Sequence, residues 1–251
     1  MKTISLLNMK GGVGKTTTSL NLASGMAMKG KRVLLVDYDP QANTTSIFPA
    51  VTTMKSISEV MSGAASIKEV MQQVDENLWL VPSDLSLSNT EMAIRAQSTA
   101  PQQDRLQKAL RQGKDQFDYA IIDCAPTINL LTVNAIIASN HVIVPIKPDK
   151  FAVQGFAVTH ENIQEIKRNW ELDLQYSILF TIINRNNEEK EVIRQLREIA
   201  GKNVLKTEIR AQPKPIAAAS LNNTVVIKQN DKDVGVADDL RRLVDEVLGV
   251  L

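Results

Sequence analysis

Near its start the chain passes from an apolar run (Ile4, Leu6, Leu7) through the segment KGGVGKTT, residues 10 to 17, into a stretch of helical periodicity from Thr16 to Met28. A strand, a glycine-rich loop and a helix in that order leave few folds open. Backbone N–H groups of the loop and the first helical turn converge on one point, and the helix dipole makes that point attractive to an anion. In the usual loop, GxxxxGK[ST], the lysine reaches the β- and γ-phosphates and the hydroxyl holds Mg²⁺. Gly14, Lys15 and Thr16 supply that ending, so a nucleoside triphosphate is the natural ligand. The usual first glycine would fall at Met9; instead Lys10-Gly11-Gly12 moves the turn inward and sets a second cation at the loop's entrance.

The rest of the chain fits a parallel, doubly wound α/β sheet with helices on both faces. Runs such as Arg32 to Val36, Leu78 to Val81, Phe117 to Ile122, Val142 to Ile146 and Tyr176 to Ile183 are short and almost wholly apolar, as strands buried on both faces are. Between them, 85–96, 103–111, 130–138, 151–170, 188–200 and 236–248 read as helices, and 42–75 as short helices and loops. With 251 residues, 43% of them hydrophobic, one domain spanning 1–251 accounts for the core. The loop begins at residue 10, so neither a targeting segment nor an N-terminal helix-turn-helix extension is expected, and no apolar run approaches membrane-spanning length. A cytoplasmic protein is expected. Cys124 is the only cysteine, which excludes an intrachain disulfide and reads as a small buried side chain. Trp79, Trp170, His141 and His160 show no partner pattern and read as core or surface residues.

Acidic residues stand where strands end, and ligands of such sheets bind beyond the carboxyl ends of the strands. Asp123 follows an apolar strand in the manner of an acid that holds Mg²⁺ opposite the loop hydroxyl, which makes Thr16 and Asp123 the metal pair. Asp37 and Asp39 lie two apart after another buried strand and point to the same face if strand geometry persists that far. One then supports the magnesium shell while the other orients water. Lys15 fills the ordinary cation site, so Lys10 is free to reach another subunit's nucleotide, as an arginine finger supplied in trans does.

The segments KGGVGKTTTSLNLA, VLLVDYDPQAN and YAIIDCAPTINLLTVNA closely resemble the ParA/Soj-type partition ATPases. That resemblance implies a Mg-dependent ATPase with a deviant phosphate loop, an ATP-sandwich homodimer, non-specific binding of double-stranded DNA, nucleoid association and a centromere-binding adaptor that stimulates hydrolysis. It makes Lys10 the lysine acting across the dimer, Lys15 the phosphate lysine, Thr16 the magnesium ligand and Thr17 an α-phosphate contact. Asp123 becomes the Walker B acid, Asp39 the residue needed for hydrolysis, and Asp37 the one near metal and water. Asn184, at a strand end, is implied to lie near the adenine. The chain departs from the family pattern at Ala125 and at Ile209 to Ala217, where the base-side contacts would fall.

A formal net charge of +1 means that DNA contact requires a local patch. Lys206, Arg210, Lys214, Lys228, Lys232, Arg241 and Arg242 are the candidates, doubled by dimerisation. A MinD-like membrane ATPase is the nearest rival, but the tail VADDLRRLVDEVLGVL is too acidic to lie on anionic lipid, so its packing on the domain and no membrane contact are expected. A small-molecule ligase with a related loop is the alternative from a different class.

Overall fold

The computed structural model describes residues 1–49, 51, 55–97, 101–229 and 235–250. Its first half alternates β1 (Lys2–Leu6), α1 (Lys15–Met28), β2 (Val33–Tyr38), α2 (Ile57–Ser62), α3 (Ile67–Val70), β3 (Gln72–Asp75), β4 (Leu78–Val81), α4 (Ser86–Arg95) and α5 (Arg105–Arg111). Then follow β5 (Tyr119–Cys124), α6 (Leu130–Ala138), β6 (His141–Ile146), α7 (Ala152–Asn169), β7 (Gln175–Ile183), α8 (Asn187–Ala200), β8 (Val204–Arg210), α9 (Pro213–Leu221) and α10 (Gly235–Val250). The strands form one sheet in the order β3-β4-β2-β5-β1-β6-β7-β8. All neighbours are parallel except β3, which runs antiparallel to β4.

The central strands are apolar throughout because successive side chains enter different cores. Val33 and Leu35 join the core beneath α1 and α10, while Leu34 and Val36 join the one beneath α2 to α8. In α10, Val236, Leu240, Leu243, Val244 and Val247 are buried in the first of these cores. The apolar face of this acidic helix is thus spent on the domain, as its composition suggests. No helix of the described residues is long and apolar enough to cross a membrane.

The strand alternation places the sheet correctly but misses its rims. β3 lies inside a segment that reads as short helices and loops, and its sequence QQVD carries almost no apolar signal. β8 and α9 are also unanticipated; Lys206, Glu208 and Arg210 interleave with buried Val204, Leu205 and Ile209, the pattern of an edge strand with one wet face. β5 extends two residues further than its apolar run, so that Asp123 lies within the strand. β2 likewise contains Asp37, and the two acids are register partners on adjacent parallel strands. Trp79 packs edge-on against Phe117, Trp170 is half-exposed, and His160 lies against Phe156 and Tyr176. His141 is buried with Nε2 at 2.9 Å from the Ser177 hydroxyl.

Candidate functional site

Beyond the carboxyl ends of the strands lies a cavity of about 750 Å³. The β1–α1 loop and the first turn of α1 form its floor through Gly11, Gly12, Gly14, Lys15, Thr16, Thr17 and Thr18. Gly12 and Gly14 adopt φ of +71° and +81°, where a side chain is strained. The loop is fastened to its neighbours at two points. Asn8 Nδ2 donates to the Pro145 carbonyl at the end of β6 (2.7 Å), and the Thr181 hydroxyl on β7 donates to the Val13 carbonyl (2.8 Å). Val13 itself is buried, so it contributes backbone and not side chain to the cradle.

Lys15 is buried, and among the described residues its ammonium donates only to the Lys10 carbonyl (3.2 Å). Burial lowers its pKa, and the carboxylates of Asp123 and Asp39 pull the other way. Among the described residues no carboxylate is bonded to the Lys15 ammonium, and a buried cation of that kind beside the start of a helix suits an anion. Lys10, in contrast, does not line the cavity. It lies at the rim, ion-paired with Asp149 and 5.8 Å from the centre of the Phe151 ring.

The acids divide into two kinds. Asp123 is buried, and its oxygens accept from the hydroxyls of Ser19 (3.0 Å) and Thr44 (2.7 Å). Burial raises its pKa, while hydrogen bonds from Thr44, Thr16 and Ser19 and the charge of Lys15 oppose the rise. Asp37 is also fully buried; burial first, and the charge of Asp123 second, push its pKa to about 7. The expectation that Asp37 and Asp39 share a face is not met. The strand ends at Tyr38, and the chain turns at once, with the Gln41 N–H on Asp39 Oδ1 (2.9 Å) and the Ala42 N–H on the Asp39 carbonyl (2.9 Å). Only Asp39 lines the cavity, whereas Asp37 lies beneath, bonded to Thr45 and to the Asp39 N–H.

The opposite wall comes from Thr181, Ile182 and Asn184 at the end of β7 and Leu240 on α10, both of which the sequence pattern anticipated, and from Ile209 to Pro213, Ile216 and Ala217 around β8 and α9, which it did not. Ile182 has φ +56°, a costly conformation for a β-branched residue, at the point where the pairing of β7 with β8 shifts register. Asn184 lines the cavity, held by Glu189 through its N–H (2.8 Å) and its amide (3.0 Å). Lys147, at the end of β6, also faces the cavity.

These donors suit a magnesium nucleotide. Among the described residues no three His, Cys, Asp or Glu gather to hold a metal alone. Mg²⁺ characteristically takes one or two protein oxygens together with substrate phosphates, and the Thr16 hydroxyl at the cavity and the Asp123 carboxylate, which feels it, are such a pair. The Cys124 thiol beside Asp123 is buried, which pushes its pKa far above the usual range, so it is not a thiolate ligand.

The basic candidates of the last third do not form one free patch. Arg210 donates to Asp239 from Nε (2.7 Å) and Nη2 (2.9 Å), and Arg242 pairs with the same carboxylate. Arg241 bonds Asp238 (2.6 Å) and the carbonyl of Gln229 (2.6 Å), and Lys228 pairs with Asp75. Lys206 and Lys214 are exposed, and among the described residues no acid pairs with either; Lys232 lies outside the described residues.

A sequence family described as an AAA domain matches residues 1–176. The chain is 33% identical to the sporulation initiation inhibitor protein Soj of Bacillus subtilis, covering 90% of each chain. It is 30% identical to the chromosome-partitioning ATPase Soj of Treponema pallidum, covering 98% of this chain and 97% of the other. Among solved structures, it resembles a putative plasmid partition protein of Borrelia burgdorferi bound to AMPPNP, with TM-score 0.84, 25% identity and coverage of 100% and 99%. It also resembles cobyrinic acid a,c-diamide synthase of Mycobacterium smegmatis with a bound ATP analogue and magnesium, with TM-score 0.83, 25% identity and coverage of 99% and 94%.

Proposed function

The chain belongs to the ParA/Soj-type partition ATPases, and from that premise we propose that it is a Mg-dependent ATP hydrolase that pairs through its nucleotide. In this reading ATP closes two copies into a sandwich dimer, the dimer binds double-stranded DNA without sequence preference, and a centromere-binding adaptor stimulates slow hydrolysis. The cycle partitions plasmid or chromosomal DNA in the cytoplasm, on the nucleoid. The observation that supports it best is the division of labour between the two loop lysines. Lys15 is buried at the cradle, while Lys10 lies at the rim outside its own cavity, and in this reading it serves a neighbour's nucleotide.

Phosphoryl transfer asks mainly for positioning and charge neutralisation. The loop N–H groups and Lys15 hold the phosphates, with Thr17 at the α-phosphate, and Asn184 faces the base. Thr16 and Asp123 would hold Mg²⁺, which when bound spreads the charge developing on the phosphate oxygens. Asp39, the acid that reaches the cavity, orients the attacking water. Asp37 acts from below by fixing the turn that carries Asp39. Lys206 and Lys214 are the DNA contacts to which this reading gives most weight, with Lys228, Lys232, Arg210, Arg241 and Arg242 behind them. Because the chain is nearly neutral, two copies side by side bind DNA far better than one, and log affinity falls steeply with log salt.

Likeness to the Mycobacterium diamide synthase favours a second reading, a small-molecule ligase that turns over ATP with one metabolite and ignores DNA. Asp39→Ala separates the two. A partition switch gives an ATP-bound dimer that elutes at twice the monomer mass, retains DNA and does not hydrolyse. Wild-type rates in Asp39→Ala, or equal DNA binding by ATP- and ADP-saturated protein at low salt, would overturn the first reading.

A further inference from the structure

Two adjacent threonines tie the turn after β2 to both buried acids, a task that phosphate binding does not explain. Thr44 is fully buried, and its hydroxyl donates to Asp123 Oδ2 at 2.7 Å. Thr45 gives Asp37 Oδ2 two donors, its N–H (2.8 Å) and its hydroxyl (2.7 Å). The Thr45 hydroxyl also accepts the Ser83 N–H at 2.9 Å, which links the same point to the chain leaving β4. Asp37 and Asp123 are register partners, so consecutive residues of one loop reach consecutive strands of the sheet. The chain that faces the cavity at Asp39 and Asn43 is therefore anchored immediately after Asn43.

We propose that Thr44 and Thr45 are positioning residues for hydrolysis, locking the Asp39-bearing turn to the two strand-end acids. The proposal rests on the ATPase reading above, because it assigns these residues to the orientation of the attacking water. Thr44 acts through Asp123, and Thr45 through Asp37. Each hydroxyl has a single proton, and each spends it on a carboxylate oxygen, so Val, with the same shape and no donor, releases the anchor while keeping the packing. Displacing a catalytic group by about 1 Å costs roughly 100-fold in rate, whereas the phosphate cradle, fastened to β6 and β7, is left in place.

The test measures three quantities in wild type, Thr44→Val, Thr45→Val, Thr44→Ser and Thr45→Ser: kcat for ATP, the Kd of AMPPNP with Mg²⁺, and amide hydrogen exchange of residues 39–46 in nucleotide-free protein. We expect kcat to fall by about 10- to 100-fold in each Val variant, with AMPPNP affinity within about threefold. Exchange over 39–46 accelerates while β1 and α1 stay protected, and each Ser variant recovers most of the rate. If a Val variant does not fold, Thr44→Cys or Thr45→Cys, of similar size and a much weaker donor, carries the same expectation. Unchanged kcat, equal losses of kcat and affinity, or no recovery with Ser overturns the positioning role. Wild-type protein that neither binds nor hydrolyses ATP instead overturns the underlying ATPase reading, and the exchange measurement still reports the anchor.

Discussion

Two buried aspartates at opposite ends of the cavity are held in opposite ways. Asp37, below the phosphate cradle, has a hydroxyl, two N–H groups and another acid around it. Asp239, behind the far wall, is gripped by Arg210 and Arg242 and accepts the Arg210 N–H as well (3.0 Å). Burial would raise the pKa of both. At Asp239 the hydrogen bonds and charge of Arg210 reverse that, and its carboxyl falls below the usual range. At Asp37 nothing reverses it. The far wall balances its own charge and so acts as a strap between β8 and α10. The phosphate end leaves the Lys15 ammonium and the carboxyls of Asp123 and Asp37 imperfectly balanced, as befits a site completed by an anionic ligand and its metal.

The largest expected effect strikes the phosphate end alone. Lys15→Ala removes the buried cation and weakens ATP binding by about 100-fold or more, as titration with a fluorescent ATP analogue would read. Lys10→Ala leaves the monomer's affinity within a few-fold, since its ammonium sits at the rim. Similar losses in both variants would erase the distinction between the lysines.

The contrast between the acids is sharpened by pH. The folded pKa of Asp37, about 7, stands above the ordinary aspartate value of 3.8, so the folded state keeps a proton that the unfolded chain has released. Its contribution to stability is fully present below about pH 4 and is lost as pH rises through 7. Nucleotide-free Asp37→Asn, neutral throughout, should therefore gain on wild type between pH 5 and pH 8, by on the order of 2–4 kcal/mol in urea unfolding. Parallel pH profiles would contradict the environment described. Asp239 has the opposite sign: its folded pKa is depressed, so its contribution is present above about pH 4 and fades only as pH falls below that.

At the far wall, the smallest effect of the series is expected. Asp239→Asn costs about 1–3 kcal/mol of unfolding free energy, moderated because the Arg210 side chain is 40% exposed and solvent screens the pair. Arg242→Ala, removing the more exposed partner, costs less than about 1 kcal/mol. A larger loss for Arg242 than for Asp239 would place the centre of the strap elsewhere.

The phosphate end was legible because its chemistry is local. Lys10 to Thr17 are contiguous, and the loop's conformation follows from glycines at fixed positions between a strand and a helix. Asp123 was legible too, from the apolar run before it. Asp37 and Asp39 were legible as a pair but not in their division of labour, because that depends on where pairing stops; β2 ends between them, and the turn sends one side chain up and leaves the other beneath. Thr44, Thr45 and Thr181 carry no signal of their own, since a threonine is informative only once its acceptor is known. For the basic residues of the last third, the sequence showed the charges but not their pairing. Among the six that are described, four are paired with acids, and for Arg210 and Lys228 the partner lies far away in sequence.

The sequence by itself determined the sheet's interior and the phosphate cradle, because apolar runs buried on both faces and a glycine loop at a helix start are short-range patterns with one favourable outcome. It also carried the family. Tertiary structure alone decided which acids reach the cavity, which lysine is buried and which is at the rim, and how β8, α9 and α10 close the far wall. Those outcomes rest on contacts between residues distant in the chain, such as Thr44 with Asp123 and Arg210 with Asp239, whose energies exist only once the sheet has brought their strands together.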